Sequence, residues 1–238
     1  MENIGNQNDN QVKEVFSETL MNEEEKLLEN ENGVTYYYYL QNLANLRTNE
    51  RIYNKGKAHA SLLMATLLAK TESSLRMYCT GLKPDILSDF KGSYWAVFQE
   101  FFRERLSNPN FGKNSINILV QENDYTRKAP FQCVKAAQEK YPNKINVRII
   151  TKKGRNEILR KLDFWNDNKW YNFISEKNNY NFSIYDNVAY RFEYSADLFK
   201  AIGCFQNNAD SMCKALINCF DTIFKDDNFS EELVLPNN

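Results

Sequence analysis

The chain has 238 residues, of which 42% are hydrophobic and 26% are charged, a composition typical of globular proteins. Its 30 basic and 31 acidic residues give a net charge of −1, which excludes a protein whose whole surface attracts polyanions but allows a local basic patch. The chain contains 1 histidine, His59, which excludes mechanisms that need two histidines from one chain and also histidine-rich zinc sites.

The first 72 residues are predicted to form an α-helical region. Residues 1–10 are polar and are predicted to be disordered, and they lack the basic and apolar segments of a secretory signal. Apolar residues at helical spacing predict helices over residues 11–30, from the tyrosine run at 36–39 onward, and over about 50–72. The chain has no apolar run long enough for a transmembrane helix, so we expect a cytoplasmic protein without a membrane span.

The cysteines favour the same compartment. They include no CxxC pair, and no histidine completes a metal site near the three cysteines between residues 204 and 219. We therefore predict free thiols in a reducing environment, with no bound metal and no cofactor.

Residues 73–226 are predicted to form an α/β domain. Strands over 75–80, 116–120 and 145–150 are separated by helices over 94–106 and 130–140, which is the spacing of parallel βα units. The remaining predicted elements are a basic helix over 153–162, a hairpin over 181–194 around Asp186 and Asn187, a strand over 199–205 and a helix over 208–225. Residues 227–238 are predicted to be a frayed acidic tail.

Several common chemistries have no motif in this chain. Gly81 is the one glycine at the end of the first predicted strand, so the sequence has neither a glycine-rich phosphate loop nor a dinucleotide fingerprint there. No GxSxG nucleophile elbow occurs. His59 falls in a predicted helix rather than at the carboxyl end of a strand, which favours a structural role over a catalytic one.

A basic stretch over residues 144–171 is the strongest candidate for binding an anionic partner. It combines positive charge with the aromatic residues Trp165, Trp170 and Tyr171, which would allow phosphate binding and base stacking. A solvated basic helix face is the alternative interpretation. The candidate phosphate or nucleic-acid ligands are Arg148, Lys152, Lys153, Arg155, Arg160, Lys161 and Trp165.

The last third of the chain resembles a known family. Residues 179–186 read NYNFSIYD, a second predicted strand follows, and a third ends in AIGCFQN at 201–207. This pattern resembles the phospholipase D-like superfamily, whose members carry HxKxxxxD on one strand and a later strand that ends in a GSxN-like element. The resemblance covers roughly residues 55–226 and implies a mixed β-sheet flanked by helices, preceded here by the N-terminal α-helical region.

The departures from the family motif predict a lost activity. If Asp186 matches the family's aspartate, Asn179 stands where the histidine should be and Asn181 where the lysine should be. Asparagine can neither attack phosphorus nor donate a proton as a general acid, because its amide does not titrate in the relevant range. We therefore expect no catalytic residues. The motif-like segment is then either a scaffold alone or a degenerate pocket that binds a ligand without cleaving it, lined by Asn179, Asn181, Asp186, Gln206 and Asn207.

Three functional hypotheses follow. The first is a non-catalytic phospholipase D-like binding or regulatory subunit, acting through a protein partner or a homo-oligomer, as inactive domains of this kind do in bacterial regulators and phage-defence systems. The second is a nucleic-acid-binding subunit that uses residues 144–171. The third is a divergent phosphodiesterase or nuclease, which requires His59 in hydrogen-bonding geometry with Asp186 or with Asn179 of a neighbouring subunit.

Overall fold

The computed structural model describes residues 32–54, 57–82, 93–121, 124, 126–163, 180–195, 200–206 and 211–233. The predicted disorder at 1–10 and the predicted helix at 11–30 lie outside these residues. The helices of the described part are α1 (Asn32–Asn45), α2 (Lys57–Ala69), α3 (Ser93–Arg103), a 3₁₀ turn (Arg105–Ser107), α4 (Ala129–Lys140), α5 (Lys152–Asp163) and α6 (Ser211–Lys225). The strands are β1 (Ile52–Asn54), β2 (Leu75–Cys79), β3 (Ile116–Val120), β4 (Ile145–Ile150), β5 (Asn181–Tyr185), β6 (Ala189–Ser195), β7 (Lys200–Cys204) and β8 (Ser230–Glu232).

The strands form one mixed sheet in the order β1-β7-β6-β5-β2-β3-β4-β8. Strands β2, β3 and β4 are parallel to one another, as the helices between them predict, since a parallel connection needs a crossover. The other pairs in the sheet are antiparallel. The predicted α/β class, with a mixed sheet flanked by helices, is therefore confirmed.

Each face of the sheet is covered by its own hydrophobic core. One face packs against α1 to α4 through side chains such as Leu63 and Phe98, and the other packs against α5 and α6 through Leu216 and Phe220. Alternate residues of a strand point to opposite faces, so Phe182 belongs to the α6 core. The polar residues that point to the α1–α4 face form the candidate site described below.

The predicted third helix is wrong over its first residues. Residues 52–54 form β1, which pairs with β7 at the edge of the sheet, and α2 begins only at Lys57. A short apolar segment around Ile52 fits a strand as well as a helix, and its pairing partner is about 150 residues away. Residues 52–69 thus belong to the same sheet and core as the α/β domain, and the boundary predicted after residue 72 does not separate them.

The predicted frayed tail contains an ordered strand. Residues 230–232 form β8, which pairs antiparallel with the last three residues of β4, and the Leu233 N–H donates to the Val147 carbonyl at 3.0 Å. The pairing joins segments about 80 residues apart, so local periodicity does not predict it, and the Arg148 guanidinium adds a bond to the Ser230 hydroxyl. Residues 234–238 lie outside the described residues.

Candidate functional site

A polar cluster lies where the parallel strands β2 and β3 end, the edge at which α/β sheets commonly bind ligands. Asn181 begins β5 at this edge and is fixed by its neighbours. The N–H and the hydroxyl of Thr80 donate to Asn181 Oδ1 at 2.9 and 3.2 Å, and Asn181 Nδ2 donates to Glu193 Oε2 at 2.8 Å. The polar cluster is defined here as Thr80, Asn181, Ser183, Arg191 and Glu193.

A buried ion pair forms the centre of the polar cluster. Arg191 Nη2 lies 3.1 Å from Glu193 Oε1, and the two side chains are 4% and 2% exposed. Arg191 Nε has no hydrogen-bond partner among the described residues. Two buried charges need good geometry and further hydrogen bonds to offset their lost hydration, which makes the bond from Asn181 to Glu193 part of the same unit.

Helix α2 lies close over this pair because β7 carries no side chain beside Arg191. Gly203 is the register partner of Arg191, and a Cβ atom on it would lie 2.8 Å from Leu63 Cδ2 of α2. Burial raises the pKa of Tyr36 in α1, while the charge of Arg191 acts in the opposite direction.

The Cys79 thiol beside the polar cluster is a poor nucleophile. Burial raises the pKa of Cys79 to about 12, and the charge of Glu193 adds to the effect. The thiolate is the reactive form, so a raised pKa leaves very little of it at pH 8.

We therefore expect Cys79 to react with Ellman's reagent at pH 8 orders of magnitude more slowly in the folded protein than in guanidinium chloride. Peptide mass spectrometry after timed labelling identifies the site, and the unfolded protein is the control. Labelling of native Cys79 at the unfolded rate would contradict this assignment.

The basic helix α5 reaches the same edge of the sheet through Arg155. Its guanidinium donates to the backbone carbonyl of Gln121, the residue that follows β3, and Gln121 Nε2 donates to the Tyr180 carbonyl at 3.0 Å. Tyr180 directly precedes Asn181. Hydrogen bonds thus link the predicted basic stretch, through Arg155, to the motif-like segment that contains Asn181.

The predicted basic residues differ in whether a carboxylate of the protein pairs with them. Arg148 bonds Ser230 and Asp227, while Arg160 and Lys161 lie 2.6 and 3.7 Å from Glu157. Each of these three cations thus has a carboxylate partner within the protein. Trp165 lies outside the described residues, and the exposed residues Lys152, Lys153 and Arg155 form what we call the basic surface.

The structure separates Asn181 from Asp186 and Gln206, the other predicted pocket residues that it describes. Asn181 and Asp186 lie at opposite ends of β5, about 16 Å apart at the usual rise of an extended strand. Gln206 lies past the end of β7 and donates its N–H to the Thr48 carbonyl at 3.0 Å, which places it at the Asp186 end. Asn179 and Asn207 lie outside the described residues.

Sequence reasoning missed Arg191 and Glu193, although polar residues alternating with apolar ones in a buried strand were a usable signal.

Asp186 connects the β5–β6 turn to the start of β2. Its carboxylate accepts hydrogen bonds from the N–H groups of Glu72, Ser73 and Ser74 at 2.7 to 2.9 Å and from the Ser73 hydroxyl at 2.9 Å. Asp186 and Asn187 have φ values of 52° and 60°, the left-handed conformation required by a tight hairpin turn. Asp186 therefore has a structural role, because its bonds join the β5–β6 turn to residues 72–74.

No family model matches the sequence, and no curated protein matches it. Among solved structures, the chain is similar to that of TrmBL2, described as an archaeal chromatin protein with a novel mode of DNA binding. The TM-score is 0.42 at 11% identity, and the match covers 96% of this chain and 67% of that one. A score this low carries no argument about fold or function.

His59 is part of the core. It is fully buried in α2, and its ring stacks on Tyr36 of α1 with centroids 4.6 Å apart. Within the residues that the structure describes, no three His, Cys, Asp or Glu side chains are grouped to hold a metal ion, and no helix is long and apolar enough to cross a membrane.

Proposed function

We propose that this protein is a non-catalytic, phospholipase D-like binding or regulatory subunit. One observation carries the proposal: Asn181 and Asp186, which the resemblance puts at two motif positions, are both used in bonds within the protein. Asn181 is fixed between Thr80 and Glu193, and Asp186 is bonded to residues 72–74. An amide fixed in this way supplies no charge or proton to a phosphate ester.

The architecture is compatible with the proposal. Strand β5 lies in the interior of the mixed sheet, between β6 and β2, and Asp186 follows it directly in a tight turn. At the opposite end of β5, Arg155 of the basic surface is linked to the polar cluster through Gln121 and Tyr180. An anionic group on a partner protein or on a ligand is the chemistry that this edge would recognise.

The proposal predicts that the purified full chain does not hydrolyse phosphodiesters. With bis(p-nitrophenyl) phosphate between pH 5 and 9, the rate should equal that of the protein-free blank, and Asn181→Ala should not change it. A rate above the blank that Asn181→Ala abolishes would contradict the proposal and favour a divergent phosphodiesterase.

A nucleic-acid-binding subunit is the second candidate, favoured by the link from Arg155 to the polar-cluster edge. Reversing two exposed charges, Lys152→Glu with Lys153→Glu, should weaken binding of a fluorescent oligonucleotide at least about tenfold at low salt. The matched control reverses two exposed lysines elsewhere, Lys113→Glu with Lys214→Glu, and should change affinity much less. Equal losses in both double variants, or binding insensitive to salt, would argue against this candidate.

A further inference from the structure

A second polar site lies at the other end of the parallel strands, on the face that α6 covers. A groove of about 500 Å³ opens there, and its floor contains Arg76, Asn117 and Asn146. These residues are register partners on β2, β3 and β4, so they form one row across the sheet. The next residues on the same face, Tyr78 and Leu119, are buried in the α6 core. The groove therefore begins where inward-facing side chains change from apolar to polar.

The asparagines of the floor are held in fixed orientations. Asn146 Nδ2 donates to Oδ1 of Asn114 at 3.2 Å and to Oδ1 of Asn117 at 3.0 Å. Asn117 Nδ2 donates to the backbone carbonyl of Asn114 at 2.9 Å. Because Asn146 uses its amide nitrogen in these bonds, its Oδ1 atom is left as an acceptor with no donor among the described residues. A pre-oriented amide of this kind lowers the ordering cost of binding.

The residues that line the groove carry an excess of positive charge, and one of them, Arg148, also pairs through Nη2 with Asp227, which lies outside the lining. It includes the cations Arg76, Arg148 and Lys225 and the anions Asp221 and Glu232, a net formal charge of +1. Arg76 and Lys225 both bind Asp221, at 2.7 and 3.0 Å, and this offsets the negative charge of its carboxylate. Lys225 is 73% exposed, and its ammonium group has N–H donors beyond the one that bonds Asp221. The Nη1 group of Arg148 makes no hydrogen bond to the described residues, since Arg148 bonds through Nε and Nη2.

We propose that this groove binds a small anionic molecule, with carboxylate or phosphate oxygens held by Arg148 and Lys225 and a donor group held by Asn146 Oδ1. Three hydrogen-bonding side chains in adjacent inward-facing positions are costly to desolvate beneath a helix, so their presence indicates a surface that stays open to a polar occupant. The volume lies within the usual range of small-molecule sites. The groove and the polar cluster lie at opposite ends of the parallel strands, so the two proposals fail independently.

The test is calorimetric titration of the full chain with inorganic phosphate, adenosine monophosphate and succinate. At least one of these probes should bind with a dissociation constant below about 1 mM. Asn146→Asp puts a carboxylate in the floor at nearly constant shape and should weaken that binding at least about tenfold by charge repulsion. The control, Asn110→Asp, makes the same charge change at an exposed position outside the groove and should leave the affinity unchanged within twofold.

Binding of phosphate and the monophosphate, but not of succinate, would identify a phosphate ligand, and the reverse would identify a carboxylate. Lys225→Ala removes one exposed donor at the end of α6 and should weaken binding several-fold, which decides the question if Asn146→Asp fails to fold. The proposal is overturned if no probe binds, or if the folded groove variants bind as tightly as the unaltered protein.

Discussion

Replacing Arg191 with methionine is expected to lower the free energy of unfolding by about 3–5 kcal/mol, the usual cost of leaving one member of a buried ion pair without its partner. Glu193 is 2% exposed, so water cannot replace the lost guanidinium. Among the described residues, the carboxylate would keep only the amide of Asn181 as a side-chain donor. Urea denaturation followed by circular dichroism measures the change.

Two variants separate this effect from a general loss of contacts. Changing Arg191→Met together with Glu193→Leu removes both charges and should recover much of the lost stability, because a buried apolar pair needs no hydration. Arg160→Met breaks an ion pair whose arginine is 70% exposed, and its cost should stay below about 1 kcal/mol. If Arg191→Met costs no more than Arg160→Met, the pair does not stabilise the cluster in the way described.

Asp186→Ala should lower the free energy of unfolding by about 2–4 kcal/mol, because it removes four hydrogen bonds to a carboxylate that do not contribute additively. Alanine also tolerates the observed φ of 52° less well than aspartate does. The loss is expected whatever the proposed family resemblance implies for Asp186, because its observed contacts are structural. Urea denaturation again gives the value.

Comparison with glycine distinguishes the hydrogen bonds from the backbone conformation. Asp186→Gly loses the same bonds but adopts a positive φ without strain, so it should be less destabilising than Asp186→Ala by about 1 kcal/mol. The control is Asp227→Ala, since Asp227 is 91% exposed and its removal should cost less than about 0.5 kcal/mol. Equal effects of Asp186→Ala and Asp227→Ala would contradict the structural role of Asp186.

The predicted strands agree with the structure where the apolar sequence pattern of a segment matches its place in the sheet. Residues 116–120 and 145–150 are strands with the predicted bounds, because short segments rich in isoleucine, leucine and valine between helices are typical of buried parallel strands. The turn at Asp186 and Asn187 is also where the alternation pattern put it. Strands β1 and β8 were not predicted, since each has three residues and is stabilised by a partner far away in the chain.

The candidate site was predicted only in part, because its residues come together from distant parts of the sequence. A motif places residues by their order in the sequence, whereas an extended strand separates Asn181 from Asp186 by nearly its whole length. Antiparallel pairing brings Glu193 beside Asn181 instead, and the α5 helix brings Arg155 to the same edge. Charge spacing alone could not show that Arg148, Arg160 and Lys161 are bound within the protein.

The sequence by itself determined the α/β class, the central strands, the β5–β6 turn and the absence of histidine and lysine from residues 179–186, because these depend on local periodicity and on residue type. Only the tertiary structure decided which polar side chains share a site. Hydrogen bonds and buried charges act over a few ångströms in space, and the sheet brings Thr80, Asn181 and Glu193 within that range from three separate strands or strand ends.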